Sequence, residues 1–130
     1  MRELVFALTF KGRGEAVPGA EGERRARSMA TMESGETALL EAEVRRFPDG
    51  TFVETGRITY GGLGGVAFDT IGRGWVGPTP TPGAVAGGVL WRITRGEGGF
   101  DGAYGTITSN FTVDAGGNVV DNHWARIFLP

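Results

Sequence analysis

Short runs of alternating apolar and polar residues cover most of the chain, and the clearest runs lie between Ala86 and Leu129. These are AGGVLWRITR, AYGTITSNFTV and NVVDNHWARIFL, joined by GEGGFDG and DAGG. Each run is rich in β-branched and aromatic residues and is bounded by glycine-rich turns, which is typical of strands. The pattern predicts three consecutive antiparallel strands.

Five earlier segments have the same character. They span residues 3–17, 25–32, 37–47, 51–61 and 66–76. The second is the weakest, and in the fifth Gly72 and Gly74 permit a bend or bulge of the kind found in closed sheets. The proline-rich segment 78–83 follows as a rigid loop that no strand can cross.

The segment 37–47, TALLEAEVRRF, is ambiguous because it contains strong helix formers, and its larger apolar residues approximate helical spacing. However, Pro48-Asp49-Gly50 follows, and the next segment alternates cleanly. A turn of this type between two apolar runs indicates a hairpin. We therefore favour a strand, with a helix as the alternative.

Eight strands with short connections predict nearest-neighbour antiparallel pairing. The expected fold is all-β: one domain, residues 1–130, forming an eight-stranded antiparallel up-and-down barrel. Closure removes exposed sheet edges. The interior of such a barrel is just wide enough for side chains or one small ligand.

Composition narrows the class of protein. The chain has 24 glycines without a three-residue period, 40% hydrophobic residues and a net charge of −2, which excludes collagen and argues against disorder. It has no cysteine and one histidine, so disulfides, thiolate sites and multi-histidine metal centres are not expected. No cofactor is therefore predicted.

Neither secretion nor a membrane or nucleic-acid partner is indicated. The apolar run 4–10 is too short and too poorly flanked to be a secretory leader or a membrane span. The arginines of the charged run 21–27 alternate with Glu21 and Glu23, which favours a solvated turn over an anion-binding patch. We expect a cytoplasmic protein.

Glu54 is the first candidate for chemistry, because it shares a strand face with Ile58 and Tyr60. If that face points inward, the carboxylate needs a partner, such as Arg92 or Arg126, or a raised pKa. The alternatives are a structural ion pair and a position at the barrel mouth.

His123 is the second candidate, with Asp121 on the same strand face. A carboxylate beside an imidazole suits general acid–base chemistry. Neighbours at i and i+2 are about 7 Å apart along a strand, so contact does not follow from spacing, and a plain strand residue is the alternative. Four apolar residues are expected to fill or line the interior: Phe68, Trp91, Ile107 and Phe111.

The first and last strands are apolar on both faces near their ends. In a closed barrel these strands are neighbours, so their outer faces merge into one apolar patch, and such patches usually mark interfaces. We expect a homo-oligomer, a dimer or a trimer.

The segment ITRGEGGFDGAYGTITSNF resembles the allene oxide cyclase-like barrel family, which includes dirigent-type proteins and bacterial cyclases. The resemblance is carried by Gly96, Gly98, Gly99, Phe100, Gly102, Ala103 and Gly105. It implies an eight-stranded barrel with an apolar cavity, frequent dimers or trimers and, in the enzymes, cofactor-free cyclisation. No catalytic residue is transferred from the family to this chain.

The leading hypothesis is a cofactor-independent cyclase or isomerase acting on a hydrophobic small-molecule metabolite. Glu54, Tyr60 and His123 would be the polar catalytic groups, within an apolar wall. Positioning of the substrate would supply most of the rate. A non-catalytic binder of an apolar small molecule and an oligomeric structural or interaction module are the alternatives.

Overall fold

The computed structural model describes residues 1–130 and contains nine β-strands. They are β1 Arg2–Ala16, β2 Glu23–Thr31, β3 Thr37–Arg46, β4 Thr51–Tyr60, β5 Gly64–Thr70, β6 Gly74–Pro78, β7 Val85–Gly98, β8 Tyr104–Val113 and β9 Asn118–Leu129. Every pairing between them is antiparallel. The structure contains no helix that is long and apolar enough to cross a membrane.

Eight of the strands close into a ring in the order β1-β2-β3-β4-β5-β7-β8-β9. The ring is closed by β1 and β9, which pair from Arg2 opposite Leu129 to Arg13 opposite Asn118. The predicted all-β, eight-stranded antiparallel barrel is therefore confirmed. The short strand β6 lies outside the count of eight and pairs with the ends of β4 and β7.

The predicted strand over residues 66–76 is divided in the structure into β5 and β6, at the place where Gly72 and Gly74 were expected to permit a bend. Asp69 lies opposite Thr55, and Gly74 lies opposite Phe52. The chain therefore uses five positions where β4 uses three, and the excess forms a bend at Gly72, whose φ is +67°. Glycine adopts this left-handed conformation without steric cost, which is why the strand breaks there.

Segment 37–47 is a strand, β3, over most of its length, and the helical alternative is wrong. Its alternation decides the structure: Leu40 and Ala42 are buried, whereas Glu41 is exposed. Glu41 lies opposite Arg27 on β2 and Arg57 on β4. Opposite charges on neighbouring strands stabilise the sheet, and this pairing outweighs the helical propensity of the segment.

One end of the barrel is closed by the loop that joins β7 to β8. Phe100, at the centre of this loop, is 1% exposed and packs against Tyr60 and Phe6, with ring centroids 5.5 and 6.4 Å away. The loop turns through Gly98 and Gly102, whose φ angles are +63° and +78°. The glycine-rich segment is thus a turn that inserts an aromatic plug.

Gly96 allows the plug to seat, because a Cβ at this position would lie 1.7 Å from the carbonyl oxygen of Phe100. We predict that Gly96→Ala lowers the free energy of unfolding by about 3 kcal/mol, as overpacking of a tight site does. Denaturant titration measures this change. Gly116→Ala is the control, since its nearest neighbours would be side-chain atoms at 3.4 Å. Equal stability of the two variants would contradict the account of the plug.

The outer faces of β1 and β9 carry exposed apolar side chains, as expected, beside the ion pair of Glu3 and Arg126. Val5 and Trp124 are 43% and 51% exposed, and Trp124 lies opposite Ala7. Nearby, Tyr104 and Phe128 stack with ring centroids 5.4 Å apart. The two-faced apolar character of these strands is therefore present in the structure, and the homo-oligomer stays a prediction.

The mass of the protein at micromolar concentration, measured by light scattering, tests this prediction. We expect a multiple of 13.7 kDa for the wild type and a shift toward the monomer for Trp124→Ser. Trp75→Ser is the control, because Trp75 is 57% exposed on β6, across the ring from β1 and β9. A wild-type protein that is monomeric at this concentration would contradict the predicted homo-oligomer.

Candidate functional site

A cavity of about 70 Å³ opens at the end of the barrel opposite the Phe100 plug. It lies where β1 ends, β2 begins, β8 ends and β9 begins. Its lining includes Arg13, Arg24, Ser28, Leu40, Val44, Arg46, Phe52, Glu54, Val76, Ser109, Phe111, Val113, Val119 and Asp121. The volume corresponds to about five waters, which is less than a typical ligand pocket of several hundred Å³.

A hydrogen-bonded chain of three buried side chains lies on the floor of this cavity. Ser109 Oγ donates to Asp121 Oδ1 at 2.6 Å, and His123 Nε2 is 2.8 Å from Asp121 Oδ2. All three residues are at most 5% exposed. Alternation along β9 places Asp121 and His123 on the inner face, and Ser109 lies directly opposite His123 on β8. The structure thus brings Asp121 and His123 into contact, which their spacing along the strand could not establish.

Aromatic rings hold the imidazole of His123 in place. Phe10 lies 4.4 Å from it between ring centroids, and Trp91 lies 5.1 Å away in an edge-to-face arrangement. The Nδ1 atom of His123 is buried and has no hydrogen-bond partner. The imidazole therefore orients Asp121 from behind, and Asp121 is the member of the pair that lines the cavity.

Glu54 also lines the cavity and is 8% exposed. Burial, together with the negative charge of Asp121, raises the pKa of its carboxyl to about 8. The carboxyl forms no ion pair, while the backbone N–H of Glu54 donates to Thr70 Oγ1 at 2.7 Å and the Thr70 hydroxyl donates to the Glu54 carbonyl at 2.7 Å. Glu54 and Asp121 thus place two carboxyl groups in one small cavity.

The arginine partners considered for Glu54 are wrong. Arg92 forms a bidentate pair with Asp69, with nitrogen–oxygen distances of 2.9 and 3.1 Å, and Arg126 lies 3.5 Å from Glu3. Both pairs are on the outer face of the barrel, because Arg92 and Arg126 alternate with the buried residues of β7 and β9.

The remaining predicted residues occupy three regions. Phe111 lines the cavity. Phe68 stacks on Trp91 with centroids 4.0 Å apart, and together with Ile107 these residues are buried in the core below the cavity. Tyr60 lies at the plugged end, where it stacks on Phe6 at 4.5 Å, and it does not line the cavity.

The residues that sequence reasoning did not identify are short or charged. Ser28 and Ser109 are buried, and Ser28 Oγ lines the cavity without a hydrogen-bond partner. Arg24, which the sequence placed in a solvated run, is half-buried and lines the cavity. Arg24 and Ser28 stand at alternate positions of β2 in one row with Ala26 and Ala30, and this period of two in the sequence could have identified both residues.

No group of three or more histidine, aspartate or glutamate side chains is placed to hold a metal ion. Comparison of the chain with protein-family models, curated proteins and solved structures finds no match. The resemblance to the allene oxide cyclase-like family therefore stays a prediction, and the case for function depends on the geometry of the site.

Proposed function

We propose that the protein is a cofactor-independent acid–base catalyst, a cyclase or isomerase that acts on a small hydrophobic metabolite. The observation that carries this proposal is the pair of carboxyl groups in the cavity. Glu54, with a pKa of about 8, holds a proton at neutral pH, and both carboxyl oxygens of Asp121 in the same cavity are engaged by Ser109 and His123. A carboxyl group that keeps its proton at neutral pH, beside a second carboxyl group held by hydrogen bonds, is suited to acid and base roles on one substrate.

The chemistry requires no added reagent. The Glu54 carboxyl gives its proton to a basic atom of the substrate, and Asp121 removes a proton from another position of the same molecule. The substrate therefore keeps its elemental composition while a bond is shifted or a ring is closed. Exchange with solvent then returns the proton to Glu54 and removes the one on Asp121.

Hydrogen bonds prepare Asp121 for this role. Ser109 and His123 hold its two oxygens in fixed positions, so the carboxylate does not reorganise as charge changes on the substrate. In this arrangement His123 acts as a positioning residue. Tyr60 takes no part in the proposed step, because it lies at the other end of the barrel.

The shape of the cavity limits the substrate. Its walls are apolar where they approach the floor, and they are formed by Leu40, Val44, Phe52, Phe111 and Val113. A volume of about 70 Å³ admits a short apolar group or one end of a longer molecule. A hydrophobic substrate would therefore insert its reacting end, and the rest would lie in the open mouth.

The second candidate is a non-catalytic binder of an apolar small molecule. It is favoured by the same apolar walls and by the small enclosed volume. Recovery of the same, chemically unchanged molecule from wild type and from Glu54→Gln would support this alternative.

The proposal requires a protonated Glu54 in the folded protein, which makes stability depend on pH. Between about pH 5 and 8 the unfolded chain has an ionised Glu54, whereas the folded chain retains the proton. Stability therefore falls as pH rises, by about 1.4 kcal/mol per pH unit from this group, and the fall ends above pH 8. We predict that Glu54→Gln removes this component, so that the variant gains about 4 kcal/mol relative to wild type from pH 5 to pH 8.

Denaturant titrations at several pH values measure this difference. Glu41→Gln is the control, because Glu41 is an exposed carboxylate on the neighbouring strand, and its curve should run parallel to that of wild type, offset only by the loss of its cross-strand charge pairing. A constant difference between Glu54→Gln and wild type at all pH values would show that Glu54 is ionised in the folded state.

Catalysis itself is tested by incubating the protein with a mixture of small apolar epoxides and enones in D₂O. We expect an isomer whose mass exceeds that of its substrate only by incorporated deuterium, because the reaction conserves composition. Mass spectrometry and chromatography detect this product. Glu54→Gln should reduce its rate by about 100-fold or more, as loss of a general acid does.

Glu41→Gln again serves as the control and should retain the wild-type rate. Formation of the isomer at the same rate by wild type and Glu54→Gln would contradict the role given to Glu54.

A further inference from the structure

Two arginines at the cavity mouth carry charges that no carboxylate of the chain neutralises. Arg24 on β2 and Arg46 on β3 both line the cavity, and neither takes part in an ion pair. Arg24 donates one hydrogen bond, to the carbonyl of Gly14 at 3.3 Å, and the Arg46 side chain has no hydrogen-bond partner. Most of their N–H donors are therefore available to a ligand.

The acidic residues near the mouth do not compensate these charges. Glu15, Glu23 and Glu43 lie at exposed positions that alternate with the inward residues of β1, β2 and β3. Inside the cavity, Glu54 is protonated at neutral pH, and Asp121 is held by Ser109 and His123. The two guanidinium groups thus lack an ion-pair partner, although the net charge of the chain is −2 and glutamates lie nearby.

The two guanidinium groups also act on each other. Burial, with a contribution from the charge of Arg24, lowers the pKa of Arg46. Two like charges held together at the edge of a partly desolvated cavity are unfavourable without a counter-charge. An anion between them would relieve this repulsion, and arginine recognises carboxylate and phosphate oxygens in a bidentate manner.

Register fixes how far this anion would lie from the acid–base pair. Arg24 lies opposite Val44, and Val44 lies opposite Glu54, so Arg24 and Glu54 are two strands apart in one row. Two strand spacings separate their Cα atoms by about 10 Å. Arg46, opposite Phe52, lies one inward position further toward the open end.

From this placement we infer that Arg24 and Arg46 form a binding site for the anionic headgroup of an amphipathic ligand, a carboxylate or phosphate attached to a short apolar chain. The apolar chain lies against Val44 and Phe52 and extends toward Glu54 and Asp121. This inference deepens the proposed function and rests on it only in taking the cavity as the ligand site.

Titration of the full-length protein at pH 7 with hexanoate, hexyl phosphate and hexan-1-ol, followed by amide chemical shifts in NMR spectra, tests the inference. We expect both anions to bind at least about tenfold more tightly than the alcohol, as charge-assisted hydrogen bonds predict. Tighter binding of hexanoate would assign the site to carboxylic acids, and tighter binding of hexyl phosphate would assign it to phosphate esters. Equal affinity for the alcohol and both anions would overturn the inference.

Substitutions locate the effect. Arg46→Gln, and the double variant with Arg24→Gln, should lose about tenfold in affinity for the preferred anion and leave hexan-1-ol binding unchanged. Arg45→Gln is the matched control, since Arg45 is the exposed neighbour of Arg46 on the outer face. An equal loss in Arg45→Gln would show a nonspecific effect of net charge and overturn the site. Arg46 is itself exposed, so its variant should fold even where the double variant does not.

A final comparison separates this inference from the proposed catalysis. Glu54→Gln should retain the preference for the anion over the alcohol. Anion binding without any isomerised product would remove the catalytic proposal and leave the arginine site in place. An isomerisation that depends on Glu54 without anion preference would remove only the arginine site.

Discussion

The structure depends on the pairing of the first strand with the last, because this pairing turns a curved sheet into a closed ring. Along the whole joint, from Arg2 opposite Leu129 to Arg13 opposite Asn118, the register is unbroken. Since side chains alternate between the two faces of a strand, closure with a fixed register directs every second residue into one shared interior. A shift by one residue would move Phe10, Asp121 and His123 to solvent and bring exposed positions such as Trp124 inside.

A single enclosed interior also explains the electrostatics of the site. Glu54 on β4 and Asp121 on β9 are far apart along the chain, yet both face the same poorly hydrated space, where the charge of one acts on the other. At pH 7 the raised pKa of Glu54 corresponds to a cost of about 3 kcal/mol for folding with this carboxyl buried. The aromatic core beneath it, with Trp91, Phe10 and Phe100 almost wholly buried, offsets such a cost.

Local pattern was sufficient for the ring and for grouping the residues that share a face of β4, but not for everything that the ring brings together. Alternation identified Glu54 as a candidate because Ile58 and Tyr60 share its face, and it identified His123 because Asp121 does, but it did not decide whether either face is inward. It missed Ser28 and Ser109, since a serine on an apolar face has no property in the sequence that distinguishes a cavity lining from a tolerated core position. It also missed Arg24, because the charged run 21–27 was judged as a whole, whereas in the barrel its residues alternate between the outer and the inner face.

Local pattern also failed to predict how residues 66–76 divide into β5 and β6, and which carboxylates pair with Arg92 and Arg126. The glycines at 72 and 74 made a bend possible, but the number of extra residues follows from the pairing of Asp69 and Gly74 with β4. In the same way, the choice of Asp69 by Arg92 depends on cross-strand register between β5 and β7. Such contacts are properties of two segments together, and they become predictable only when the order and register of the strands are known.

The two ends of the barrel divide stability and chemistry between them. At one end Phe100, Phe6 and Tyr60 fill the interior with packed aromatic rings. At the other end small and polar residues on β1, β2 and β8 (Gly14, Ala26, Ser28 and Ser109) leave a void that larger side chains would fill. A chain under selection only for a packed barrel would gain stability by closing this end with apolar residues, because unpaired buried carboxyl groups and adjacent arginines are both unfavourable. This end of the barrel, and not the plugged one, therefore holds the carboxyl and guanidinium groups on which the proposed ligand site rests: Glu54, Asp121, Arg24 and Arg46.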